Sequence, residues 1–172
     1  MGQLVGRDSP LDGVRVLLVE DHPVVREVIG RLLGEFGAAV TAAGGVAEAL
    51  RAFEREHFDV VLSDIEMADE DGYALIRKLR ALPPDRGGEM PVAGLTGLSM
   101  VEDRARVLQA GFECYVAKPV DARMLVSVVA ALASRSVTAG KSAGRTLPYF
   151  GSGRGIRAAT EGRKSAAGAA GT

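Results

Sequence analysis

The stretch Val60-Val61-Leu62-Ser63-Asp64-Ile65-Glu66-Met67 decides the fold. Its aliphatic run is too short for a core helix and shows no polar alternation. Such a run reads as a strand buried on both faces, the habit of parallel sheets. It closes on a hydroxyl and a carboxylate, Ser63 and Asp64, so the strand delivers a charged group at its carboxyl end. Val14 to Val19 and Val92 to Leu95 are runs of the same kind, and Ala39 to Ala42 and Cys114 to Ala117 are weaker strand candidates.

Helical periods lie between these runs. Val24, Val25, Val28, Ile29, Leu32, Leu33 and Phe36 form one apolar stripe, with Pro23 suited to the first turn and Gly37 to the stop. Val46, Leu50 and Phe53 mark a second helix ending near Glu56, and Tyr73, Leu75, Ile76 and Leu79 a third. Ser99 with Glu102 forms a capping box for a fourth, which stops at Gly111. Asp121 caps a fifth that carries Leu125, Val128, Val129 and Leu132 inward. Five strands alternating with five helices predict an α/β, doubly wound (βα)5 unit around a five-stranded parallel sheet. The flavodoxin-like order 2-1-3-4-5 suits five such units, and it places ligands beyond the carboxyl ends of the strands.

That edge collects chemistry. The first strand ends in Glu20-Asp21, the third in Ser63-Asp64, the fourth at Thr96, and the fifth runs into Lys118-Pro119. Neighbouring carboxylates repel by roughly 4 kcal/mol per close pair near a protein surface. A cluster of three therefore calls for a cation or a shared proton. Mg²⁺ suits it, because that ion takes oxygen ligands and binds through one or two carboxylates plus phosphate oxygens. Lys118 supplies a positive point charge and Thr96 a hydrogen-bond donor. A carboxylate nucleophile, a metal, an ammonium and a hydroxyl are the parts of phosphoryl transfer to aspartate. Each part alone has a plain structural reading, as a helix cap or a turn residue; their shared edge gives the functional one.

Val16-Leu17-Leu18-Val19-Glu20-Asp21-His22, the Val60 to Met67 stretch, Asp71-Gly72, Leu95-Thr96-Gly97 and Lys118-Pro119 together resemble the receiver domains of two-component response regulators. The likeness runs from residue 14 to about 134. It implies that Asp64 is the phosphoacceptor, and that Glu20 and Asp21 hold Mg²⁺ with help from the Glu66 backbone carbonyl. It implies that Thr96 and Lys118 contact the phosphoryl group, and that Thr96 and Tyr115 move on switching. The implied partners are a histidine kinase or histidine phosphotransfer protein as donor. The output partner would be a downstream protein, or a second copy in a homodimer, on the face of the fourth helix, fifth strand and fifth helix. Pro10-Leu11-Asp12-Gly13 and Ala117-Lys118-Pro119-Val120-Asp121 look similar to receiver segments of hybrid histidine kinases. Two departures stand out. Ala68 occupies a position where the family often has Pro, which should loosen an acidic loop, and the acidic pair is Glu20-Asp21 where Asp-Asp is frequent. Gly97 is small and leaves room beside Thr96. The rival from another class is a metal-dependent phosphohydrolase with an aspartyl nucleophile and Glu66 as general acid/base. Against it, Asp64 follows the third strand rather than the first.

The resemblance implies a phosphoacceptor switch rather than an enzyme with its own substrate. The chain of 172 residues is 47% hydrophobic and 25% charged, ordinary for a globular domain. Net charge is −1, but unevenly spread: residues 1–134 hold 14 basic and 21 acidic residues, a balance of −7, and 135–172 hold seven basic and one acidic, +6. The expected organisation is a short extension over 1–12, the receiver unit over 13–134 and a disordered Gly/Ala/Ser/Arg-rich tail over 135–172. That tail has no folded reader, so direct DNA binding is not expected. Gly151-Ser152-Gly153-Arg154-Gly155 follows no strand and makes no phosphate cradle. The single cysteine, Cys114, reads as a core thiol, and no stretch is apolar enough for a membrane span; a cytoplasmic setting is expected.

Overall fold

The computed structural model describes residues 9–97 and 104–138. Five strands appear, β1 (Arg15–Val19), β2 (Ala39–Ala43), β3 (Val60–Asp64), β4 (Val92–Thr96) and β5 (Cys114–Ala117). They alternate with α1 (Pro23–Glu35), α2 (Val46–Arg55), α3 (Gly72–Arg80), α4 (Arg104–Ala110) and α5 (Ala122–Thr138). A short 3-10 turn, Pro84–Arg86, leads into β4. All pairings are parallel and the strand order is 2-1-3-4-5, as the alternation predicts.

Each strand feeds both faces of the sheet. Val16, Leu18, Val60 and Leu62 point to one side, under α1 and α5. Leu17, Val19 and Val61 point to the other, under α2, α3 and α4. Because both faces are covered, the inner strands β1, β3 and β4 are apolar along most of their length, which is why those runs showed no alternation. Leu75, Ile76 and Leu79 of α3 and Leu125, Val129 and Leu132 of α5 are fully buried. Asp121 accepts from the Met124 amide at 2.9 Å and caps α5 as expected. Gly37 closes α1 with φ +94°, a left-handed turn that favours glycine.

One expectation needs correcting. The α1 stripe is narrower than its periodicity suggests: Ile29 and Leu33 are buried, whereas Val24 and Val28 are 61% and 60% exposed. The helix meets the sheet along one line only, so residues a quarter-turn away face out. Ordered structure continues on both sides of residues 13 and 134. Leu11 is fully buried in the core, its amide donating to the Phe36 carbonyl at 3.0 Å, and α5 runs on to Thr138. The capping box at Ser99 and Glu102 and the tail beyond 138 lie outside the described residues. Among the described residues no helix is long and apolar enough to cross a membrane.

Candidate functional site

Register fixes the site. Val19 pairs with Ser63, Asp64 with Leu95, and Thr96 with Ala117. Glu20 follows the last residue of β1 and Lys118 the last of β5, so four strand ends present their side chains at one edge. A main-chain bond from the Lys118 amide to the Thr96 carbonyl, 2.7 Å, ties the last two together. The Lys118-Pro119 peptide is cis.

One carboxylate oxygen each from Glu20, Asp21 and Asp64 lie within 4.8 Å of one another. Glu20 and Asp64 are buried, 1% and 3% exposed. The Lys118 ammonium reaches both, at 2.8 Å from Glu20 Oε2 and 2.9 Å from Asp64 Oδ2. Burial pushes the Glu20 carboxyl above its ordinary range; the Lys118 hydrogen bond opposes that rise and the Asp64 charge adds to it. Burial alone would lower the Lys118 ammonium, but its bonds to Glu20 and Asp64 outweigh it and leave the group raised, hence charged. One ammonium cannot neutralise three carboxylates. The remaining negative charge and the close oxygens fit a small divalent cation of the Mg²⁺ type, so the donor set suits that ion.

The rest of the frame holds Asp64 in place. Its Oδ1 accepts from the Glu66 amide at 3.0 Å, and its carbonyl accepts from the Ser63 hydroxyl at 2.9 Å. Gly72 packs so tightly under this turn that a Cβ there would lie 2.5 Å from the Asp64 carbonyl oxygen. Only glycine allows that approach. Thr96 is buried and its hydroxyl donates to the Gly97 carbonyl at 3.3 Å. Tyr115 is buried in the core beneath α4 rather than standing at the cluster. His22 is exposed at the start of α1, its amide donating to Glu20 Oε1 at 3.2 Å. Cys114 is buried and its thiol is pushed up to about 12, by desolvation first and by Glu113 second.

The loop beyond Asp64 departs from expectation. Ala68 keeps an N–H that Pro would lack, and it donates to Asp21 Oδ2 at 2.9 Å. The substitution therefore anchors the loop to the acidic cluster instead of loosening it. Asp71 caps α3 through the Ala74 amide, and Glu70 pairs with Lys78 at 2.6 Å. Beside Gly97 the space is occupied: a Cβ there would lie 3.0 Å from Glu66 Oε2. Arg26, which sequence reasoning passed over, donates through Nη1 to the Glu20 and Asp21 carbonyls at 2.6 and 3.2 Å. A basic residue in the first turn of a helix, against the macrodipole, was the available signal.

The comparisons agree with this geometry. The family of response regulator receiver domains matches residues 16–130. The chain belongs to that family. The receiver is 32% identical over 127 residues to the sensor histidine kinase RcsC of Escherichia coli, covering 74% of this chain and 13% of RcsC. It is 39% identical over 114 residues to an uncharacterized 14.6 kDa protein of Leptolyngbya boryana, covering 66% of this chain and 86% of that one. Among solved structures it resembles the receiver domain of a Pseudomonas aeruginosa sensor histidine kinase, which holds a magnesium ion in its active-site cleft. That likeness has 34% identity and a TM-score of 0.64, and covers 71% of this chain and 98% of the other. Its homologues thus include the receiver segments of hybrid histidine kinases, and the chain spans about an eighth of such a protein. Receiver domains are phosphoacceptor switches of two-component phosphorelays that bind Mg²⁺ at an acidic site, and this chain carries a Glu/Asp/Asp cluster compatible with that ion.

Proposed function

We propose that Asp64 accepts a phosphoryl group from the phosphohistidine of a sensor kinase or phosphotransfer protein. The observation that carries this reading is one half-buried ammonium shared by two of three clustered carboxylates at the carboxyl edge of the sheet. Glu20, Asp21 and Asp64 would hold Mg²⁺, with the Glu66 carbonyl as a further ligand. The ion, when bound, neutralises charge on the phosphoryl oxygens and on the carboxylates.

The chain's own residues do the positioning. An Asp64 carboxylate oxygen forms the new bond to phosphorus. The phosphorus–nitrogen bond breaks and the electron pair stays with the imidazole. Lys118, held raised and charged, offers its ammonium to the phosphoryl oxygens in place of an Asp64 oxygen. Thr96 sits on the neighbouring strand with a long, weak bond to Gly97, so its hydroxyl is free to turn toward an incoming oxygen. The acyl phosphate adds roughly two negative charges. Thr96 and Tyr115 then shift inward and change the α4-β5-α5 face, which a downstream protein or a second copy reads. Leu108 on α4 is an exposed apolar residue. The same chemistry serves a stand-alone receiver or the receiver portion of a hybrid kinase. The single buried thiol fits a reducing, cytoplasmic compartment.

Intact mass after incubation with acetyl phosphate and Mg²⁺ tests this. The expected result is one added phosphoryl group, absent in Asp64→Asn. No addition, or an addition that survives the substitution, would sink the reading. Continuous release of phosphate from a phosphatase substrate would favour the hydrolase instead.

A further inference from the structure

Arg26 sits where a cation is doubly unwelcome. It lies in the first turn of α1, whose dipole repels positive charge. It also lies directly behind residues that would hold a divalent metal. Yet the side chain is partly buried, and its Nη1 bridges two successive carbonyls, Glu20 at 2.6 Å and Asp21 at 3.2 Å. Space is kept for it: a Cβ on Gly44, in the β2–α2 turn, would lie 3.3 Å from Nη1 and 3.6 Å from Cζ. The Glu20 amide is fixed separately, to the Ala43 carbonyl at 3.1 Å. Among the described residues Arg26 has no ion pair with a carboxylate, so its hydrogen bonding goes to the main chain of the acidic pair.

We propose that Arg26 is a positioning residue for the metal site, fixing where the Glu20 and Asp21 carboxylates point by locking their peptide planes. This rests on reading the acidic cluster as a Mg²⁺ site. The two N–H groups of Nη1 are fixed in the guanidinium plane and hold both carbonyls in set directions, whereas the three donors of an ammonium rotate on a flexible stem. With both peptide planes held, the Cα–Cβ directions of Glu20 and Asp21 are set before any ion arrives. Outer-shell partners of this kind orient the groups that touch the metal.

Electrostatics and geometry predict opposite signs, which makes the inference sharp. If Arg26 mattered only through charge, removing it would strengthen Mg²⁺ binding. If it positions the ligands, Arg26→Lys and Arg26→Met both weaken it, by about 10- to 100-fold. The test is a MgCl₂ titration of the full chain followed by amide and carbonyl NMR shifts, on wild type, both variants and Asp21→Asn. In the metal-free protein the Glu20 and Asp21 carbonyl resonances should move in Arg26→Lys, because their hydrogen bonds change. Mg²⁺ affinity at or above wild type in Arg26→Lys would overturn the proposal; should Arg26→Met fail to fold, the lysine variant decides. If wild type itself fails to bind Mg²⁺ and behaves as Asp21→Asn does, the metal reading fails first and takes the inference with it.

Discussion

The two edges of the sheet both collect buried charge, and they resolve it in opposite ways. At the amino edge, before β4 and β5, both terminal nitrogens of Arg80 are engaged. Its guanidinium donates to the carbonyls of Gly88, Met90 and Gly111 at 2.9, 2.8 and 2.6 Å, and pairs with Glu113 at 3.2 Å. Glu113 in turn accepts from the Val92 amide at 2.6 Å. At the carboxyl edge three carboxylates cluster beside one ammonium, which pairs with two of them. The first cluster is closed and serves stability. The second is left short of positive charge, and on the proposed reading that shortage is what would let it take a cation and then a phosphoryl group. Sites of function are where a fold tolerates such imbalance.

Breaking the closed cluster should cost most. Arg80→Met strands Glu113 and three carbonyls, and a loss of about 3–5 kcal/mol is expected in denaturant unfolding. Neutralising one acid at each edge should give opposite signs. Without Mg²⁺, Asp64→Asn is expected to stabilise the fold by about 1–2 kcal/mol, since Glu20 keeps Lys118 and loses a repelling neighbour. Glu113→Gln is expected to destabilise it by about the same amount, because both Glu113 oxygens accept, from Arg80 and from the Val92 amide, and an amide side chain keeps only one acceptor. A destabilised Asp64→Asn would remove the claim that the carboxyl edge is strained.

The pH dependence sharpens the same contrast. Burial raises Glu113 above its ordinary value of 4.5, against the pull of the Val92 amide, Arg80 and Arg135. The folded state therefore keeps this proton after the unfolded chain has released it. The Glu113 contribution is full below 4.5 and is lost as pH climbs through the raised value. The difference in unfolding free energy between wild type and Glu113→Gln should fall across that window; a difference that grows with pH would contradict the assignment. The smallest effect belongs to α1. Val24→Ser and Val28→Ser should change stability by no more than about 0.5 kcal/mol, because both side chains already face out.

The uneven legibility of the sequence has a physical pattern. β3 could be read from Val60 to Asp64 because a strand buried on both faces leaves an unbroken apolar run. The carboxylate cluster followed, since parallel strands must bring their carboxyl ends to one edge. What escaped was the bonding between side chains and main chain. Nothing in periodicity says that Arg26 reaches back to two carbonyls, or that Ala68 lends Asp21 an amide. Val24 and Val28 misled because a 3.6-residue period marks an apolar face without saying how wide a contact the sheet offers.

The central claim is that the unbalanced edge exists to phosphorylate Asp64. Borohydride reduction of the chain after treatment with acetyl phosphate and Mg²⁺, followed by peptide mass mapping, addresses it residue by residue. An acyl phosphate at Asp64 predicts homoserine at position 64 and at no other carboxylate. Homoserine at Asp21 or elsewhere, or unmodified peptide throughout, would contradict the account.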